Sequence, residues 1–113
     1  MHVAITGASS GIGEALAREF AAQGASISLI ARRKDMLDAI TVSLSTKTFV
    51  RSVDLLDVEN SASWIADAER ALGPVDVLIN NAGMQIVGPI EETDPAQGEA
   101  VLKLNLLTPM RLT

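Results

Sequence analysis

The 113 residues predict a doubly wound α/β domain, a parallel sheet of strand order 3-2-1-4 with helices on both faces. Three observations predict it. Four short apolar runs alternate with stretches of helical periodicity and are joined by brief loops, the pattern left by right-handed strand–helix–strand crossovers. The first run, His2 to Thr6, is continuously apolar, as suits a strand covered on both faces. It leads directly into Thr6-Gly7-Ala8-Ser9-Ser10-Gly11-Ile12-Gly13, a glycine-rich turn that opens a helix.

The elements follow in order. After the turn, Ile12, Ala15, Leu16 and Phe20 recur at helical spacing, Glu14, Arg18, Glu19 and Gln23 face outward, and Gly24 closes the helix. Ser26 to Ala31 is the second strand, with Ile27, Leu29 and Ile30 as its apolar residues. Met36, Leu37, Ile40 and Leu44 form the stripe of the second helix. Thr48 to Val53 is the third strand and ends at Asp54. Asp57 is placed to cap a third helix that buries Val58, Ala62, Ile65, Ala68 and Leu72 and stops at Gly73-Pro74. Val75 to Asn80 is the fourth strand. A loop follows over 84–89, and a last helix is expected from Asp94-Pro95 through Val101, Leu102, Leu104, Asn105 and Leu106. His2, at the start of the first strand and away from the turn, reads as structural, and Trp64 reads as packing.

The turn carries the chemistry. A sharp exit from the strand, close approach to a pyrophosphate and contact of helix on strand all exclude a Cβ, which is why glycines stand there. The helix that begins there offers free N–H groups and the positive end of its dipole. In a 3-2-1-4 sheet the switch point lies between strands 1 and 4, and both the turn and Asn80-Asn81-Ala82-Gly83 fall at its carboxyl edge.

Composition removes several function classes. With 48% hydrophobic residues and a mean hydropathy of +0.28 the chain is globular, and without cysteine it has neither disulfides nor a thiolate for catalysis or metal binding; no metal site is expected. No apolar run approaches the roughly 20 residues of a membrane span, and no signal-like segment precedes the first strand, so a cytoplasmic protein without membrane contact is expected. A net charge of −5 argues against a nucleic-acid surface. Against that acidic background Arg32-Arg33-Lys34 is a local cluster of three cations.

Thr6-Gly-x-x-x-Gly11-x-Gly13 together with Asn80-Asn81-Ala82-Gly83 resembles the two signatures of the short-chain dehydrogenase/reductase family. The resemblance covers the whole chain and stops about halfway through a family member. It implies a Rossmann-like fold and a nicotinamide cofactor held by Gly7, Ser9, Ser10, Gly11, Ile12 and Gly13 at the phosphates. Where an acid would meet the ribose 2′-hydroxyl of NAD stands Ala31, followed by Arg32 and Arg33, so NADP(H) is the expected cofactor: Arg32 as bidentate donor to the 2′-phosphate and stacked on the adenine, Arg33 adding field. Asp54 and Leu55 are expected at the adenine, and Asn81, Ala82 and Gly83 at the ribose and pyrophosphate, with Asn80 tying strands together. Asn105 resembles the asparagine of the family's Asn-Ser-Tyr-Lys set, where it holds a water of the proton relay. The sequence departs from the family in having no tyrosine at all. The family's serine and Tyr-x-x-x-Lys pair would lie beyond Thr113, and the largely apolar Val75–Asn80 strand asks for a fifth strand beside it. The chain therefore reads as residues 1–113 of a longer single-domain oxidoreductase acting on a small carbonyl or secondary alcohol, homo-oligomeric when full length and inactive as this half alone. The alternatives are a non-catalytic NADP sensor or scaffold, or a fragment completed by another chain.

Overall fold

The computed structural model describes residues 1–9, 11–82, 96, 99, 105 and 108–112. Strands β1 (His2–Thr6), β2 (Ser26–Ala31), β3 (Thr48–Ser52) and β4 (Val77–Ile79) form one parallel sheet in the order β3-β2-β1-β4, the order expected of the doubly wound class. The helices whose bounds lie within the described residues are α1 (Gly11–Ala22), α2 (Lys34–Val42), α3 (Ile65–Leu72) and α4 (Thr108–Leu112).

The continuous apolar run of β1 is divided between two cores by the period of a strand. Val3 and Ile5 join Ile27, Leu29, Ala17, Ala21, Leu37 and Ile40 under α1 and α2, whereas Ala4 joins Ile30, Leu55, Trp64, Ala68 and Leu112 under α3 and α4. All five β1 residues are buried, the environment that a strand without alternation predicts. Trp64 is 1% exposed, and its indole N–H donates to Ser61 O at 2.7 Å, so packing is its role. His2 is also structural. Its Nδ1 lies 2.7 Å from Gly73 O and its Nε2 2.7 Å from Ser28 Oγ, which ties β1 to β2 and to the end of α3. A carbonyl can only accept, so Nδ1 carries a hydrogen.

Three expectations are corrected in detail. Ile12 and Ala15 do not belong to the buried stripe of α1: Ile12 is 71% exposed and Ala15 is exposed, and the inward positions are Gly13, Leu16, Ala17, Phe20 and Ala21. Gly13 fixes that rotation, since only a residue without Cβ can lie against Gly7 O and Asn81. The third helix does not start at a side-chain cap from Asp57; residues Val58–Asn60 form a 3-10 turn, α3 begins at Ile65, and the Asp57 carboxylate accepts from Asn60 Nδ2 at 2.8 Å instead. Serines 61 and 63 keep this stretch in turns by donating to Val58 O and Asn60 O. β4 is shorter than Val75–Asn80, because Asp76 leaves the ladder to exchange bonds with His2, its N–H donating to His2 O and its Oδ2 accepting from His2 N. Gly24 does cap α1 as expected, at φ +89° with the N–H of Ala25 reaching back to Phe20 O. The expected helix start at 94–95 and the loop 84–89 lie outside the described residues. Among the described residues no helix is long and apolar enough to cross a membrane.

Candidate cofactor site

The segments that leave the carboxyl ends of all four strands carry the sequence-predicted site residues: Gly7–Gly13 after β1, Arg32-Arg33 after β2, Asp54-Leu55 after β3 and Asn81-Ala82 after β4. Ser10 and Gly83 lie outside the described residues.

The glycine turn is held from two sides. Gly7 N donates to Ile30 O at 2.8 Å, which carries the β1–β2 pairing one residue beyond the strand. On the other side Thr6 Oγ1 accepts from the N–H groups of Asn81 and Ala82, both at 3.1 Å, and donates to Ile79 O at 3.4 Å. One hydroxyl thus uses its donor and both acceptor positions to fasten the end of β1 to the end of β4. Asn81 adds a side-chain tie, Nδ2 donating to Gly7 O at 3.0 Å. The tie expected of Asn80 is made by its neighbour; Asn80 is exposed. Thr6 is 1% exposed, so removing its hydroxyl leaves two backbone donors without their partner. Thr6→Val is expected to lower stability by about 1–3 kcal/mol in urea denaturation, more than an ordinary surface change.

Each glycine answers a different demand. At Gly7, φ is +66° and a Cβ would sit 2.9 Å from Ala82 N and Cα. At Gly13 a Cβ would fall on Gly7 O and lie 2.6 Å from Asn81 Nδ2. Gly11 has φ +62°, and nothing lies within 4 Å of where its Cβ would be. The floor of the turn is therefore closed to any side chain, while the side at Gly11 is open, and the first amides of α1 have no intrahelical acceptor. A cradle of that shape fits a pyrophosphate. Ile12 stands beside it, exposed.

At the end of β2, Ala31 is 6% exposed and Arg32 and Arg33 are exposed side by side. Arg33 Nη1 rests 3.6 Å from Met36 Sδ, and Arg33 O accepts from Leu37 N as α2 begins. Asp54 is exposed and closes a local turn, Oδ1 accepting from Leu56 N at 3.0 Å. Leu55 points its side chain into the α3-side core, at 5% exposure, which leaves the backbone as its contribution to the edge. Asn105 is exposed and stands in a helical turn. Sequence reasoning overlooked Thr6 as a fastener; its position immediately before Gly7 is the signal that could have found it.

A parallel sheet with a glycine cradle, a cationic strand end and a polar tie across the β1/β4 switch point defines a doubly wound α/β protein with its ligand edge at the carboxyl ends of the strands. Residues 1–113 match the family model for short chain dehydrogenases. The chain is 40% identical over 114 residues to 3-ketodihydrosphingosine reductase of Mus musculus, covering 94% of this chain and 34% of that protein. An alcohol dehydrogenase from the archaeon Thermococcus sibiricus, solved with 5-hydroxy-NADP, is similar at TM-score 0.92 and 33% identity over 99% of this chain and 50% of its own. A metagenomic short-chain oxidoreductase solved with NADP is similar at TM-score 0.88 and 35% identity, over 98% of this chain and 52% of its own. The protein belongs to the short-chain dehydrogenase/reductase family of oxidoreductases. It spans between about a third and a half of the length of these relatives.

Proposed function

We propose that these residues form the cofactor-holding half of a longer single-domain NADP(H)-dependent oxidoreductase that interconverts a small carbonyl compound and its secondary alcohol. The observation that carries the cofactor reading is the end of β2, where two exposed arginines follow the buried methyl of Ala31 and no carboxylate stands in their place. A 2′-phosphate needs that charge and that space, whereas a free 2′-hydroxyl is served by an acid. The solved relatives that hold NADP or 5-hydroxy-NADP support the same choice.

When bound, the nicotinamide supplies or takes the hydride. The residues of this chain bind and orient. The turn from Gly7 through Ser9, Ser10, Gly11, Ile12 and Gly13 receives the pyrophosphate at the amides of α1, Arg32 meets the 2′-phosphate and stacks on adenine, and Arg33 adds positive field. Asp54 accepts from the adenine amino group beside the Leu55 backbone. Ala82 and Gly83 leave room for the ribose, and Asn81 serves the cofactor by holding the turn. Asn105 takes the place of the family's water-holding asparagine. The reductase name of the mouse relative, with its keto substrate, supports the carbonyl class. The family resemblance implies a homo-oligomer when full length, and a chain without cysteine is compatible with the reducing cytoplasm.

Calorimetric titration of the full-length protein tests the cofactor reading. Arg32→Ala is expected to weaken NADPH binding about ten- to a hundredfold, the loss of one charge-assisted hydrogen bond, and to leave NADH nearly unchanged. Equal losses for both, or an initial preference for NADH, would overturn it.

A further inference from the structure

We infer that Ser52 is a specificity-determining positioning residue, which acts on the 2′-phosphate through the backbone of the arginine pair. The inference rests on the proposed role of Arg32 and adds the device that aims it. The β2–β3 ladder pairs Ala31 with Ser52 and ends with Val53 N donating to Ala31 O at 3.0 Å. The next carbonyl, Arg32 O, has no strand beyond it to pair with. Ser52 Oγ donates to it at 2.7 Å and so extends the register by a side chain where the backbone ladder stops.

That bond restrains the peptide plane between Arg32 and Arg33. On the far side Arg33 O is already committed to Leu37 N at 3.2 Å, and Arg33 itself sits at φ −95°, ψ 92°, outside the helix that begins at Lys34. Both carbonyls of the pair are thus fixed, one by β3 and one by α2, while both guanidinium groups remain exposed. An arginine is long, and small rotations of its peptide plane swing the head group over several ångströms. Fixing the plane lets the fork meet a phosphate with less ordering on binding. The Ser52–Arg32 bond is itself exposed, so water can replace it without orphaning a buried group. Its loss therefore affects aim more than folding. Thr46 makes a similar reach at the amino ends of the same strands, Oγ1 donating to Ala25 O at 2.7 Å, but the acceptor there is followed by Ser26 and not by a cation.

The test compares 2′,5′-ADP with 5′-AMP, which share adenosine and the 5′-phosphate and differ in the 2′-phosphate, on full-length wild type, Ser52→Ala, Ser52→Thr and Arg32→Ala. Ser52→Ala is expected to weaken 2′,5′-ADP about three- to tenfold with 5′-AMP unchanged, and Ser52→Thr, which keeps the hydroxyl, to restore most of the affinity. A merely structural role would move both ligands together and shift the thermal midpoint with them. If Arg32→Ala weakens 2′,5′-ADP while Ser52→Ala does not, the positioning role is overturned and the NADP reading stands. If Arg32→Ala leaves 2′,5′-ADP unchanged, the reading of Arg32 falls and the inference falls with it.

Discussion

Gly13→Val is expected to abolish binding of NADPH and NADH alike. A Cβ at this position meets the Gly7 carbonyl oxygen, lies 2.6 Å from Asn81 Nδ2 and 3.0 Å from Ala8 Cα, and valine then adds two further carbons. The neighbours are backbone and a side chain already committed to Gly7 O, so none can swing aside as a flexible surface group would. Overpacking a tight contact costs about 1–3 kcal/mol, and here the strain falls on the turn itself, forcing α1 off β1 or breaking the Asn81 tie. Either outcome displaces the amides proposed to receive the phosphate. Calorimetry with both cofactors, accompanied by circular dichroism and a thermal melt, reads the result. A variant that melts like wild type and binds with unchanged Kd removes the turn from the site.

The second large effect concerns turnover. These 113 residues expressed alone are expected to show no reductase activity with NADPH and any carbonyl substrate, and to associate in solution. The chain contains no tyrosine, and general acid catalysis of the kind the family draws from that phenol contributes about 10²–10⁴-fold. Among the described residues β4 is bonded to β1 only, so its other edge presents the backbone of Val77, Leu78 and Ile79 to any strand that can add there. Cofactor binding can survive without turnover, because the arginine pair and the cradle proposed to hold the cofactor belong to these residues. NADPH absorbance and gel filtration follow the two properties, and extension through a serine and a Tyr-x-x-x-Lys segment is expected to restore both. A monomeric 113-residue protein that oxidises NADPH with a ketone contradicts the proposal.

Much of this protein was legible in its sequence because the signals were local. The parallel sheet follows from the alternation of strands and helices, its order from the doubly wound class that the glycine turn after the first strand marks, and the cradle was visible as glycines at positions where the structure shows a colliding Cβ or a positive φ. The cations after β2 were visible as a cluster in an acidic chain. In each case one residue type has one physical reason to stand where it does, whatever surrounds it.

What only the tertiary structure decided was the choice among local equivalents. α1 is rich in small apolar residues on more than one face, so periodicity alone allowed Ile12 and Ala15 to be buried; contact between Gly13 and the turn set the rotation and exposed them. Asn80 and Asn81 are the same residue type side by side, and the geometry of β4 against Thr6 and Gly7 selected Asn81 for the tie. Asp57 had the sequence of a helix cap, but serines that bond back to the chain kept residues 58–64 in turns until Trp64 was seated in the core and α3 could begin. Ser52 is an unremarkable strand residue until parallel pairing brings it to Arg32 O, 20 positions away. Partners so distant along the chain leave no periodic trace in it, because their proximity is created by the sheet and not by the residues between them.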